Sequence, residues 1–296
     1  METNLKIYLV DGTYELYRHF FALPGAFDDK GQEIAATRGV INSVVSMLEQ
    51  GASHIGVATD HVIESFRNDL YGGYKTGDGV PPEIMSQIAI VEEALLALGV
   101  LVWPMVQFEA DDALASAAIK AAALEEVEQV LICTPDKDLC QCVTGSRIVQ
   151  LDRRRDNSIR DEAGVVEKFG VGPDSIADYL ALVGDTADGF PGLPGWGEKG
   201  AGIILSQYKH LENIPKDVSQ WPVLRGAAKL ATTLFDQWDN ALLYRQLATL
   251  RLDVDVFTNI DELRWQGPTK DFEAICDRLK AKNTLKRVQK LTCPKV

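Results

Sequence analysis

The feature that most restricts the fold is an alternation in the first half of the chain. Short β-rich runs are separated by helical patterns; two of the four runs lead directly into an aspartate and a third reaches one after a single proline. Leu5–Val10, Ile55–Thr59, Leu101–Val106 and Val130–Thr134 have the length and apolar content of buried strands. Between them, residues 37–50 open on Thr37 as a candidate cap and stop at Gly51. Residues 81–98 open on proline and close before Gly99, and residues 110–123 are almost entirely helix formers. Strands alternating with helices imply a mostly parallel sheet with helices on both faces, an α/β fold. Ligands in such sheets bind beyond the carboxyl ends of the strands. Asp11, Asp60 and Asp136 follow strands and are therefore expected to converge there.

From about residue 163 the pattern changes to short helices joined by glycine loops: 163–169, 175–183, 198–208, a long apolar-periodic stretch over 224–250, and 283–291. No repeat or low-complexity linker separates the two regions, so they are expected to pack together.

Acidic residues recur in five clusters: Asp11; Asp60; Glu109, Asp111 and Asp112; Asp136 and Asp138; Asp185 and Asp188. Carboxylates gathered from such distances repel one another unless a cation lies among them. Hard oxygen ligands favour Mg²⁺ or Mn²⁺, and nine of them suggest two ions. Two metals about 3.5–4 Å apart are a common device for in-line attack on a phosphodiester. Any one cluster could be an ordinary complement to a helix dipole. Five clusters with consistent strand-end placement argue for a site.

The net charge of −13 speaks at first against a nucleic-acid partner. Setting aside the nine candidate ligands leaves 34 acidic against 30 basic residues, so the balance is local. Arg153-Arg154-Arg155 and the C-terminal Lys280, Lys282, Lys286, Arg287, Lys290 and Lys295 concentrate positive charge, although such runs are often only solvated surface. Five cysteines without a CxxC pair read as reduced thiols, and no apolar run is long enough to span a bilayer. A cytoplasmic protein is expected.

Two glycine-rich segments complete the picture. In residues 184–201 (GDTADGFPGLPGWGEKGA), Gly192, Gly195 and Gly197 allow backbone N–H groups to approach a phosphate, and Lys199 stands in the helix that follows. Contacts of that kind hold a nucleic-acid backbone without reading bases. In residues 65–82 (SFRNDLYGGYKTGDGVPP), Arg67 and Lys75 are candidate phosphate partners, and Tyr74 offers a face on which a base could stack.

The motifs VDGTYELYR, SFRNDLYGGYK, EADDALAS, TPDKDLCQ and GD-x-x-D-x-x-PG-x-x-G-x-GEK occur in the order of the 5′ nuclease family, which almost the whole chain resembles. That family comprises the N-terminal domain of bacterial DNA polymerase I, phage 5′ nucleases and, more distantly, flap endonucleases. The resemblance implies a PIN-like/5′ nuclease fold over residues 1–172, with an arch region near 65–82. It implies a helix-three-turn-helix duplex-binding region over 173–296 that can carry K⁺. The implied activity is metal-dependent cleavage at 5′ ends or flaps of branched DNA in replication and repair, independent of sequence, by a monomer. Asp11, Asp60, Glu109, Asp111 and Asp112 would serve one Mg²⁺, with Mn²⁺ as a substitute. Asp136, Asp138, Asp185 and Asp188 would serve the other. Arg67, Tyr74 and Lys75 match arch residues that engage the cut strand.

Four departures from the family pattern stand out: Asp78 where a basic residue is usual, Gly189 in place of Asn, Gly200 in place of Thr, and Pro135 in place of Gly or Ala. None removes a ligand. The chain ends where a polymerase would begin, so a stand-alone nuclease is expected. A catalytically silent duplex-binding relative is disfavoured by the presence of all nine carboxylates. A haloacid-dehalogenase phosphatase would need Asp at position 9, which is leucine. A PIN-type ribonuclease stays open, because a substrate held by its backbone offers few contacts that tell sugars apart.

Overall fold

The computed structural model describes residues 5–291, and Lys295 of the basic C-terminal run lies outside them. Two compact units emerge. The first comprises residues up to 63, residues 77–134 and residues from 252 onward; the second comprises 64–76 and 135–251. These units are cut along different lines from the expected boundary near 172. Residues 64–76 and 135–172 fall in the second unit, and the chain from 252 onward falls in the first.

The first unit is built on four parallel strands. β1 (Leu5–Asp11) lies between β2 (His54–Asp60) and β4 (Val127–Cys133), and β3 (Leu101–Met105) flanks β2. β2 is buried along all but its last residue, as a strand covered on both faces must be. Helices Gly12–Ala22, Ala35–Glu49, Pro82–Ala97 and Ala110–Ala122 provide the cover. The expected Thr37 cap is corrected by the structure. Thr37 lies inside the second of these helices, fully buried, and its N–H and hydroxyl both donate to Gln87 Oε1 at 3.0 Å. The buried amide of Gln87 outweighs the local capping preference.

Residues 252–291 are part of the same core. Trp265 Nε1 donates to the Leu98 carbonyl (2.8 Å), and Val254 N to Ser116 Oγ (3.1 Å). Two cations of the basic run, Lys280 and Arg287, are engaged here, as is Arg278 just before it. Arg287 pairs with Glu49 (2.7 Å), Arg278 with Glu93 (2.9 Å) and Lys280 with Asp29 (2.9 Å). Among the described residues no helix is long and apolar enough to cross a membrane.

The second unit is mostly helical: Phe66–Leu70, Glu162–Phe169, Ile176–Val183, Glu198–Tyr208, Ala227–Asp236 and Trp238–Ala248, with an antiparallel pair, β5 (Ile148–Asp152) and β6 (Ser158–Arg160). The apolar-periodic helical stretch expected over 224–250 holds two helices. Gln237 breaks them with φ −113° and ψ 33°, so that both apolar faces turn inward. Their core is aromatic: Phe190 stacks on Tyr244 at 5.8 Å, and Tyr71 meets Tyr244 edge-on at 6.0 Å. Asp178, buried in this unit, is matched by Arg245 (3.0 Å) and His210 (2.9 Å).

Candidate active site

In the first unit the carboxylates stand at the carboxyl edge of the parallel strands, as the alternation predicts. Asp11 ends β1 and caps the helix that follows. One oxygen accepts from Tyr14 N at 2.8 Å and the other from the Thr134 hydroxyl at 3.0 Å. Asp60 ends β2, and its Oδ1 accepts from Ala110 N at 2.8 Å, at the start of the helix carrying the other three acids. Asp112 Oδ2 accepts from Glu109 N at 3.0 Å in a capping box, with both residues buried. Asp111 is half-buried on the same turn. These backbone N–H and hydroxyl donors orient the carboxylates.

In the second unit Asp138, Asp185 and Asp188 bring ligand oxygens within 4.8 Å of one another. Asp136 stands beside them, its Oδ1 accepting from Asp138 N at 3.0 Å. Asp138 Oδ1 is buried and has no hydrogen-bond partner. An acceptor left so is costly in a folded protein, and a small hard cation is the partner that three converging carboxylates fit. Burial, together with the charges of Asp136, Asp188 and Asp185, holds the Asp138 carboxyl well above the usual carboxylate range. The donor set therefore matches a divalent metal.

Two lysines answer part of this charge. Lys75 Nζ lies 3.0 Å from Asp188 Oδ1, and Lys137 Nζ 2.8 Å from Asp185 Oδ2. Burial opposes the charge on Lys137, but the Asp185 hydrogen bond prevails and raises its affinity for a proton. Lys137 is a participant that sequence reasoning missed. Its place between two aspartates in PDKD was the available signal.

The turn bearing Asp185 and Asp188 is closed by a pair of bonds, Asp185 N to Phe190 O (2.8 Å) and Phe190 N to Asp185 O (3.0 Å). A second support comes from the buried Gln150 of β5. Its Nε2 donates to the Asp136 carbonyl at 2.5 Å, while its Oε1 accepts from Arg160 at 2.6 Å.

Three sequence expectations need correction. Arg67 is not a surface cation. It is 1% exposed, and its guanidinium donates to the Leu247 and Thr249 carbonyls at 2.7 and 3.0 Å, bracing the end of helix Trp238–Ala248. Tyr74 presents no open ring face, being 3% exposed within the aromatic core. Gly192 is also buried, where any Cβ would overlap the backbone of Val183 and Gly184. By contrast Gly195, Gly197 and Lys199 are exposed at the start of helix Glu198–Tyr208, where Gly197 leaves the first N–H groups without a side-chain cap.

Residues 6–170 match the model of the 5′-3′ exonuclease N-terminal resolvase-like domain, and residues 171–271 match the 5′-3′ exonuclease C-terminal SAM fold. The chain belongs to the 5′-3′ exonuclease family. DNA polymerase I of Pseudomonas aeruginosa is 36% identical over 289 residues, 96% of this chain and 31% of that protein. Thermostable DNA polymerase I of Thermus aquaticus is 33% identical over 297 residues, 99% of this chain and 34% of that protein. The chain thus spans about a third of the length of these curated relatives. The fold is that of the T5 D15 protein co-crystallised with metal ions (TM-score 0.64, 18% identity, 96% of this chain and 99% of that one). It is also that of the Rad2 catalytic core in complex with DNA substrate (TM-score 0.66, 16% identity, 98% and 93%).

Within this family's pattern, the departure at Gly189 has a local cause. Gly189 has φ +85°, and a Cβ there would overlap the Gly73 carbonyl oxygen. Glycine is what lets the segment before Lys75 lie on the Asp185–Phe190 turn.

Proposed function

We propose that this 5′-3′ exonuclease family member is a divalent-metal-dependent phosphodiesterase that cuts at 5′ ends or flaps of branched DNA in replication and repair. The observation that carries the reading is the Asp138–Asp185–Asp188 group with its buried, unpartnered Asp138 oxygen. Asp136, Asp138, Asp185 and Asp188 would hold one Mg²⁺, and Asp11, Asp60, Glu109, Asp111 and Asp112 the other, with Mn²⁺ as a substitute. Bound there, such ions supply an acidified water and charge for the phosphate oxygens. The protein's own residues align the phosphodiester. Lys75, already beside Asp188, offers an ammonium to the scissile phosphate. Gly195, Gly197 and Lys199 hold duplex phosphates through backbone N–H groups and one positive charge, so recognition is independent of sequence. K⁺ at this hairpin, a monomeric state and a cytoplasmic location belong to the same reading. We assign catalysis to the region up to about residue 172 and duplex holding to the helical region that starts near 173. Arg67 and Tyr74 support Lys75 from the core. The T5 and Rad2 structures, described as holding metal ions and DNA substrate respectively, support both ligands.

The test is cleavage of end-labelled flap, nicked, gapped and single-stranded substrates, as DNA and as RNA, with Mg²⁺ and with EDTA. Mg²⁺-dependent release of short products from DNA flaps is expected. Cleavage that persists in EDTA overturns the metal reading, preference for RNA favours a PIN-type ribonuclease, and binding without cleavage marks a silent relative.

A further inference from the structure

We propose that Asn68 and Gly189 are positioning residues that fix the backbone of Lys75, so that its ammonium is already in place before any nucleic acid arrives. The inference rests on the nuclease reading and adds to it the origin of Lys75's placement.

A glycine-rich stretch such as 71–79 would be expected to move, yet Lys75 is held from both sides. Its N–H donates to the Asp188 carbonyl at 2.9 Å, and its carbonyl accepts from Asn68 Nδ2, also at 2.9 Å. Asn68 is itself anchored, since its Oδ1 accepts from Ser65 N at 2.8 Å in the capping box of helix Phe66–Leu70. The preceding residue, Tyr74, is embedded in the core of the second unit, and its N–H closes a turn onto Tyr71 O at 3.0 Å. Arg67 fastens the same short helix to Leu247 and Thr249. The bond to Asp188 depends on Gly189. With any side chain at 189, the Gly73 carbonyl would have to retreat and carry Lys75 N–H with it.

This latch uses backbone atoms of the Asp185–Phe190 turn and not the Asp188 carboxylate. The Asp188 carboxylate pairs separately with the Lys75 ammonium at 3.0 Å, which keeps that ammonium beside the acidic group and able to turn towards a phosphate oxygen. Holding a charged group in its working position before the reaction removes an entropic cost from the catalysed step and leaves duplex binding alone.

Two substitutions loosen the latch from opposite sides. Gly189→Asn tolerates the left-handed backbone but adds the Cβ that displaces Gly73. Asn68→Asp keeps the acceptor for Ser65 N–H and removes the donor to Lys75 O. Gly51→Asn serves as the control, because Gly51 also has positive φ (+94°) but open space where its Cβ would lie. The first measurement is amide hydrogen exchange at Lys75 in the DNA-free protein. The second is kcat and KM on a flapped DNA with Mg²⁺. Both latch variants are expected to exchange the Lys75 amide faster and to lose at least about tenfold in kcat, with KM little changed. Gly51→Asn should alter neither.

Wild-type exchange in Gly189→Asn and Asn68→Asp overturns the latch, and so does faster exchange with wild-type kcat. Should one variant fail to fold by thermal melting, the other decides, since they share no atom. If the unmodified protein cleaves nothing, it is the nuclease reading that fails, and the exchange comparison still judges the latch.

Discussion

The two acidic groups reach comparable burial by different means. In the first unit, Asp11, Asp60 and Asp112 receive hydrogen bonds from Tyr14 N, the Thr134 hydroxyl, Ala110 N and Glu109 N. In the second, Asp185 and Asp188 face the ammonium groups of Lys137 and Lys75, and Asp138 keeps a buried oxygen with no partner. Neutral donors fix direction and leave charge, whereas ammonium groups cancel charge and can be drawn away. The second group has a backbone donor as well, Ala187 N to Asp185 Oδ1 at 3.0 Å, and what sets it apart is the buried Asp138 oxygen with no hydrogen-bond partner.

That difference can be tested most severely by converting one acid in each unit to its amide. Asp11→Asn and Asp138→Asn should each lower metal-dependent cleavage by several kcal/mol of transition-state stabilisation, on the order of 10³-fold in rate. Their effects on the metal-free protein should differ in size. Asn at position 11 can still accept from Tyr14 N, and its amide can donate to the Thr134 hydroxyl oxygen that now donates to Asp11, so the melting temperature should hardly move. Asn at position 138 relieves repulsion among Asp136, Asp185 and Asp188, and should stabilise by about 1–2 kcal/mol, a rise of roughly 2–8 °C. Melting curves in EDTA decide this. Equal shifts in the two variants would erase the contrast.

A smaller effect concerns the helix after β1. Glu15 is buried; although burial alone would raise its pKa, hydrogen bonds from His19 and Arg18 pull it down to about 2 from 4.5. A carboxylate depressed in the folded state contributes stability that is fully present above the unfolded value and is lost as pH falls through the folded one. Glu15→Gln should therefore cost about 2–3 kcal/mol at neutral pH, and the gap to wild type should close between about pH 4.5 and 2. Chemical denaturation across that range measures it. A gap independent of pH would mean that Glu15 acts by packing.

How much of this was legible in the sequence follows the same division. The strands of the first unit could be read because a buried parallel strand is a continuous apolar run, and Asp11 and Asp60 lie where those runs stop. The helix Gly12–Ala22 went unread, since its aromatic and charged residues carry no clean apolar stripe. In the second unit the acids could be named, but the surroundings of Lys75 could not. Arg67 is buried by carbonyls at positions 247 and 249, and Tyr74 by a core whose members lie more than sixty residues later in sequence. A polar, glycine-rich stretch reads as exposed unless those distant partners are known. The break at Gln237 was hidden for a related reason, because an apolar period continues through it and only packing fixes where two helices part.

The exposed hairpin gives a third, weaker test, of charge that is neither buried nor paired with the acids. Lys199→Ala should weaken duplex binding about equally across sequences and reduce the salt slope by roughly one unit. An unchanged slope would place the duplex on another surface.

The smallest effect is expected at Asp78, an exposed acid in the stretch where the family pattern calls for positive charge. It follows the latched Lys75 by three residues but belongs to the first unit, so it samples charge where the backbone leaves the second unit. Replacing it with arginine exchanges repulsion of a phosphate for attraction. Water and salt screen such a site, which limits the gain to about 1–2 kcal/mol at low ionic strength and less at physiological salt. The gain should appear in affinity for a long 5′ flap and be absent for a nicked duplex without one, because the hairpin at Gly195–Lys199 is expected to hold the duplex in both. Titrations of Asp78→Arg and wild type against both substrates, at two salt concentrations, make the comparison. Equal improvement on both would reduce the effect to nonspecific charge, and no improvement on the flap would mean that this stretch does not meet the cut strand.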